Sequence, residues 1–85
     1  MTIHELKILP EYYRAIIKGR KTFEVRKNDR NFKVGDCLIL KEFKDEKYTG
    51  WKITVEVTYI TDYEQKEEYV VMGIRLLKNT VHEWE

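Results

Sequence analysis

The longest alternating segment of the chain is ITVEVTYI, residues 53–60. Apolar residues at every second position, separated mostly by threonine and glutamate, are typical of a β-strand with one buried face. We therefore expect the odd-numbered residues from Ile53 to Tyr59 to share one face of a strand and Thr54 to Ile60 the other. This segment predicts a β-sheet at the centre of the fold.

Shorter periodic segments flank this strand. Alternation predicts strands at residues 3–8, 21–26 and 69–77, and the apolar run at residues 37–40 predicts a strand buried on both sides. A helix of about ten residues is expected from Pro10 to Gly19, because Pro suits the first turn and Gly the end. Turn-forming residues lie at 28–31 and 34–36, and residues 48–51 predict a bend into the long strand.

These elements limit the fold class. One helix and five or six strands within 85 residues leave no room for the repeated crossover helices of a parallel α/β fold. We predict a single domain over residues 1–85, a small mainly-β (α+β) barrel with one main helix at its end or side. Closure of the sheet would remove its exposed edges.

The composition indicates a folded protein without a membrane segment. Hydrophobic residues make up 42% of the chain and aromatic residues 13%, and no uncharged apolar run approaches the ~20 residues of a membrane span. The N-terminus does not resemble a secretory signal, and Cys37 is the only cysteine, so we expect a cytoplasmic protein without an internal disulfide. His4, His82 and Cys37 lack zinc-site spacing, so we expect no metal and no cofactor.

The net charge of +1 conceals a concentrated basic segment. Residues 18–33 contain seven Lys or Arg and two acidic residues, whereas the rest of the chain contains nine basic and thirteen acidic residues. Such a segment favours a local anionic partner. A solvated loop with scattered lysines is the alternative interpretation.

The basic segment contains GRKTFEVRKNDR, residues 19–30. Thr22 and Glu24 can accept hydrogen bonds from amino groups on base edges, and Arg26 can bind phosphate or stack on a base. Lys21 precedes them where the helix ends. The set suits a nucleotide or single-stranded nucleic acid, although an ordinary exposed strand shows the same alternation.

Several aromatic residues are secondary candidates for base contacts. We expect Tyr12 and Tyr13 to belong to the rim and core of the helix rather than to stack on a ligand. Tyr48 and Trp51 can either stack on a base or cap the barrel, and the sequence favours neither interpretation.

The whole segment from His4 to Leu77 resembles the small bacterial and phage proteins of the DUF3850 family, and through them the ASCH group of the PUA-like superfamily. The most specific portion matches the pattern G-x-K-T-x-(T/E)-x-R, at the positions Gly19, Lys21, Thr22, Glu24 and Arg26. The Gly35-Asp36 pair matches the turn that follows this pattern. The resemblance implies a PUA-type β-barrel with a helix beside it, and an RNA ligand in a cleft lined by the motif.

The resemblance extends to a related ASCH group that removes the acyl group of N4-acetylcytidine by hydrolysis. That group uses a Lys/Thr/Glu catalytic set. Lys21 matches the lysine of that set, but Glu24 occupies the position of its threonine nucleophile. The distal glutamate of that set falls in the region of Glu64, Glu67 and Glu68, but no motif surrounds these residues. The resemblance therefore favours binding over hydrolysis.

We predict an RNA- or nucleotide-binding module that contacts no membrane, and we leave its oligomeric state open. The residues expected to bind the ligand are Lys21, Thr22, Glu24, Arg26, Lys27 and Arg30. The alternative is a small amidohydrolase in which Lys21 activates water or a hydroxyl and Glu24 orients it. A third possibility is a barrel that binds another protein.

Overall fold

The computed structural model describes residues 1–77 and 82–83. These residues form, in chain order, β1 (Ile3–Ile8), α1 (Pro10–Ile17), β2 (Phe23–Lys27), β3 (Cys37–Lys44), β4 (Lys47–Thr61), β5 (Tyr69–Leu76) and β6 (His82–Glu83). The predicted small mainly-β fold with one main helix is confirmed. Within this part of the chain, no helix has the length and apolar character needed to cross a membrane.

Five strands form one curled half-barrel sheet in the order β1-β3-β4-β5-β2. β1 runs parallel to β3, with Ile3 opposite Cys37, and the other neighbouring strands are antiparallel. The short β6 pairs with β4 beside Trp51 and Lys52. This topology leaves β1 and β2, which are adjacent along the chain apart from α1, as the two ends of the sheet.

The core lies between the curled sheet and α1. Its fully buried side chains come from the three central strands; they are Leu38, Leu40, Ile53, Val55, Val57 and Met72. The helix adds Tyr13 and Ile16, while Leu9 and Ile17 at its two ends are 51% and 38% exposed. Of the side chains of α1, only those of Tyr13 and Ile16 are buried.

The helix begins at Pro10, as predicted, but ends at Ile17 rather than at Gly19, where the chain turns away from the helix axis. Gly19 has a φ of 75°, a left-handed conformation that favours glycine. The N–H groups of Arg20 and Lys21 both donate to the carbonyl of Ala15, at 2.9 and 3.1 Å. This turn brings Lys21 back toward the helix and starts β2.

The prediction that residues 37–40 are buried on both sides is wrong. Leu38 and Leu40 are fully buried, but Cys37 and Ile39 are only half-buried, and the strand continues to Lys44. The sheet has one inner and one outer face here, so a continuous apolar run does not imply two covered faces.

The bend predicted at residues 48–51 is also wrong, because those residues lie within β4. The reversal occurs at Asp45 and Glu46, whose φ values of 51° and 63° are left-handed, as in a tight two-residue hairpin. A bulge then interrupts β4 between Val57 and Tyr59. It turns Tyr59 outward, 66% exposed, so the predicted face holds only from Ile53 to Val57.

Candidate functional site

The two end strands meet at a seam that side chains bridge. Arg26 Nη2 on β2 donates to the carbonyl oxygen of Lys7 on β1, at 2.6 Å. Arg30 Nη1, just beyond β2, donates to the carbonyl oxygen of Glu5 at 2.9 Å. β1 and β2 are not neighbours in the hydrogen-bonded order of the sheet described over residues 1–77. The half-barrel is therefore joined at this seam by arginine side chains.

Glu24 is the buried charged group at the seam. Glu24 is only 4% exposed, because the alternation of β2 turns its side chain inward. The neighbouring Phe23 and Val25 turn outward, and each is 46% exposed. Lys21 Nζ contacts Glu24 Oε1, and Arg26 Nε donates to Glu24 Oε2 at 2.8 Å. A buried carboxylate is tolerated when hydrogen-bonded cations surround it, and both oxygens of Glu24 have such a partner.

Lys21 is held from several directions. Besides Glu24, its Nζ donates to the carbonyl oxygen of Phe23 at 2.6 Å. The same ammonium lies 4.9 Å from the centre of the Phe23 ring and 5.5 Å from the centre of the Tyr12 ring, within the range of a cation–π contact. Only 14% of its side chain is exposed. Lys21 is consequently a positioned cation rather than a mobile surface lysine.

A cavity of about 440 Å³ opens at this seam, and we call it the Glu24 cleft. It is lined by Lys7, Ile8, Leu9, Tyr12, Lys21, Phe23, Glu24, Val25 and Arg26. Its walls are thus largely apolar and aromatic, while its charged groups are Lys7, the buried Glu24 and the two partly buried cations that contact Glu24, Lys21 and Arg26. This combination is typical of small-molecule sites, which have similar volumes.

A second cavity of about 300 Å³ adjoins the first, and we call it the cationic cleft. It is lined by Glu5, Leu6, Lys7, Arg26, Arg30, Lys41 and Tyr48. Lys7 and Arg26 line both cavities. The one acidic residue in this lining, Glu5, contacts Lys41 Nζ, and that hydrogen bond and charge hold the pKa of Glu5 below its usual range.

The structure separates the predicted site residues into two groups. Lys21, Glu24 and Arg26 line the Glu24 cleft, and Arg30 lines the cationic cleft. Thr22 and Lys27 are exposed and line neither. Lys27 Nζ lies 3.7 Å from a carboxylate oxygen of Glu68.

Other lining residues were not predicted. Tyr12, expected at the rim of the helix, lines the Glu24 cleft, and neither Lys7 nor Lys41 belongs to a motif in the sequence. The parallel register places Lys7 opposite Lys41, but no local sequence signal indicates that β1 pairs with β3. Tyr48, one of the two aromatic residues left undecided, lines the cationic cleft, whereas Trp51 lines neither cleft.

The Gly35-Asp36 turn lies outside both clefts and forms a structural clamp. Asp36 is 3% exposed; it accepts hydrogen bonds from the backbone N–H of Thr2 and of Lys33, each at 3.0 Å, and from His4 Nε2 at 2.9 Å. The His4 hydrogen bond, followed by that of Thr2, lowers the pKa of Asp36. His4 is therefore a partner of Asp36, and within residues 1–77 no three His, Cys, Asp or Glu side chains form a group that could hold a metal ion.

The sequence between residues 3 and 74 matches the family model described as "Domain of unknown function (DUF3850)". The chain belongs to the DUF3850 family. The matched segment contains every residue that lines the two clefts. A protein of Escherichia phage P2, described as "Uncharacterized 12.9 kDa protein in GpA 3'region", is 39% identical to the chain over 71 residues. The match covers 82% of this chain and 65% of the phage protein, which is less than two thirds of that protein's length.

Proposed function

We propose that this DUF3850 protein is an RNA- or nucleotide-binding module of the ASCH group in the PUA-like superfamily, and that the Glu24 cleft receives the base. One observation carries the proposal: a buried carboxylate, held between Lys21 and Arg26, lies in a cavity of about 440 Å³ with aromatic walls. A plain exposed strand would have placed Glu24 in water.

The chemistry of the cleft suits a heterocyclic base. The rings of Tyr12 and Phe23 offer apolar surface on which a base can stack, an interaction that every base can make. The carboxylate of Glu24 accepts hydrogen bonds, so it favours a base edge that carries an amino or imino N–H. Lys21 and Arg26 supply donors for carbonyl oxygens on the same edge.

Thr22 and Lys27 bear on the size of the ligand. Both are exposed beside the clefts, so a ligand confined to the Glu24 cleft would not reach them. A longer single strand could follow β2 and contact them, because phosphates recur along its whole length. Loss of affinity in Lys27→Gln for an RNA oligomer but not for a mononucleotide would favour RNA as the partner.

The central test is an amide NMR titration of the protein and of Glu24→Gln with short RNA oligomers and nucleoside 5′-monophosphates. The substitution keeps the shape of the side chain and removes its charge, and we expect it to lower affinity about ten-fold or more. Glu56→Gln is the matched control, because Glu56 also contacts an arginine, Arg75, but lines neither cleft. Equal affinity in the protein and both variants would contradict the proposal.

The amidohydrolase is the second candidate, favoured by the contact between the Lys21 amino group and the Glu24 carboxylate inside a cavity. The cleft lining contains no Ser, Thr or Cys, and Glu64, Glu67 and Glu68 lie outside it. Water would have to be the nucleophile: it adds to the acyl carbonyl, the C–N bond breaks, and a carboxylic acid and the free amine leave.

Incubation with N4-acetylcytidine distinguishes the two candidates. Hydrolysis predicts the appearance of cytidine and acetate, and loss of this turnover in Lys21→Ala with little change in binding. Binding without any released cytidine would exclude this substrate for the enzyme. If no RNA, nucleotide or acylated nucleoside causes shifts, a protein partner becomes the better explanation.

A further inference from the structure

We propose that the cationic cleft is a phosphate site continuous with the Glu24 cleft, so that the ligand is a phosphorylated nucleoside rather than a bare base or nucleoside. This inference rests on the proposed function. It commits to phosphate chemistry, which either a free nucleotide or a nucleotide within an RNA strand can supply. Lys7 and Arg26, which line both cavities, would lie between the base and the phosphate.

The charges of the cleft support this assignment. Four cationic side chains line it, from Lys7, Arg26, Arg30 and Lys41, against the single carboxylate of Glu5, which contacts Lys41. A concave surface with cations of one sign concentrates the field and attracts anions. The Glu24 cleft is less cationic, because three cations line it, from Lys7, Lys21 and Arg26, and two of them contact the buried carboxylate of Glu24.

The strand register adds a second observation. Lys7 lies directly opposite Lys41 in the β1–β3 pair, and Lys41 lies opposite Lys52 in the β3–β4 pair. Like charges directly opposite each other on neighbouring strands destabilise a sheet. The carboxylate of Glu5 contacts Lys41, and the Lys7 ammonium lies 4.4 Å from the centre of the Phe43 ring. Lys7 and Lys41 line the cationic cleft, so an anion bound there would reduce the repulsion between these neighbouring positive charges.

Arg26 is oriented before any ligand binds. Its Nε donates to Glu24, and one N–H of Nη2 donates to the Lys7 carbonyl oxygen. The contacts of the described residues thus use two of its five N–H groups. A planar guanidinium fixed in this way can present its remaining N–H groups to a phosphate. Because the side chain is already ordered in the folded protein, binding has a smaller entropic cost. Arg30 is tethered similarly by the Glu5 carbonyl oxygen.

The test compares ligands that differ only in phosphate. We would titrate the protein with the four common ribonucleosides, their 5′-monophosphates, single-stranded trinucleotides and inorganic phosphate, and follow the amides of both clefts. We expect a monophosphate to bind about ten-fold or more tightly than its nucleoside, because charged hydrogen bonds are the strong ones. A trinucleotide that binds more tightly than the monophosphate indicates an RNA strand, and the reverse indicates a free nucleotide.

Arg30→Gln and Arg75→Gln form a matched pair for the same titration. Both remove one exposed arginine charge, but only Arg30 lines the cationic cleft, and Arg75 contacts Glu56 on β4. Arg30→Gln should remove most of the advantage of the monophosphate, leave nucleoside affinity unchanged and reduce the salt slope by about one. Arg75→Gln should change none of these.

The possible failures are distinguishable. Equal affinity for nucleoside and monophosphate, or equal losses in the two arginine variants, would overturn the phosphate site while leaving the base site intact. If nucleosides and nucleotides leave the Glu24 cleft amides unchanged, but inorganic phosphate shifts the cationic cleft amides in an Arg30-dependent way, the proposed function fails and the phosphate site stands. Silence with every ligand would overturn both.

Discussion

The centre of the sheet and its seam are held by different forces. In β3, β4 and β5, aliphatic side chains are fully buried and each strand pairs with neighbours on both sides. At the seam, Arg26 and Arg30 bridge β1 and β2 through single hydrogen bonds, and two cavities remain open. Apolar burial is non-directional and is not subject to charge screening, whereas charged contacts are directional and are partly screened by salt. We therefore expect the stability of the fold to depend mainly on the centre, whereas the proposed recognition uses the seam.

Leu38→Ala tests the centre and should have the largest effect. Leu38 is fully buried in β3, so truncation removes transfer free energy and leaves a cavity. We expect the free energy of unfolding to fall by about 2–5 kcal/mol in urea titration. Ile3→Ala, at a side chain in β1 that is 60% exposed, should change it by about 0.5 kcal/mol or less. Similar losses in the two variants would remove the distinction between centre and periphery.

Asp36→Asn tests whether a polar group outside the seam is structural. Asn offers one acceptor oxygen where Asp36 uses both of its oxygens to accept from Thr2, His4 and Lys33. At least one buried donor loses its partner, which costs about 1–3 kcal/mol in unfolding free energy. Ligand affinity should not change, because Asp36 lines neither cleft. A large loss of affinity in a folded variant would extend the site to this turn.

Acid should weaken the same clamp. The pKa of Asp36 is lower in the folded chain than its ordinary value, because His4 and the Thr2 N–H favour the carboxylate. The unfolded chain therefore takes up a proton first, and stability that is complete above about pH 4 is lost as the pH falls through the folded pKa. Thermal unfolding from pH 6 to pH 2 should show a smaller decline in Asp36→Asn than in the unchanged protein. Parallel curves would show that Asp36 does not contribute to the acid sensitivity.

The sheet could be predicted from the sequence where alternation reflects one buried face. The segment 3–8 has the predicted bounds, and Ile53 to Val57 have the predicted faces. The hairpin at Asp45 and Glu46 could not be predicted, because Glu46 adopts a left-handed φ at the position where Gly normally follows Asp in such a turn. The parallel pairing of β1 with β3 could not be predicted from local sequence either, because α1 and β2 lie between these two strands in the chain.

The candidate site was predictable only along the segment 21–30, which contains β2. Lys21, Glu24 and Arg26 are neighbours in the sequence, so a single motif was enough to group them. Alternation indicates two faces of the strand, but it does not indicate which face is buried. Glu24 can point inward because Lys21 and Arg26 provide hydrogen bonds to its two carboxylate oxygens. Lys7, Lys41 and Tyr48 join the site from three other strands, and only the sheet topology brings them together.

Arg30→Gln should have a smaller effect on stability than Leu38→Ala or Asp36→Asn, and this small effect is what makes it informative. Arg30 is exposed and contributes one hydrogen bond to the seam, so we expect the free energy of unfolding to change by less than about 1 kcal/mol, as in Arg75→Gln. Amide exchange should separate the two variants: faster exchange of β1 amides in Arg30→Gln alone would show that the seam opens locally. If Arg30→Gln instead lowered the free energy of unfolding by several kcal/mol, the seam would contribute substantially to the stability of the fold. The proposed ligand binding would then not be the only reason for the cations at the seam.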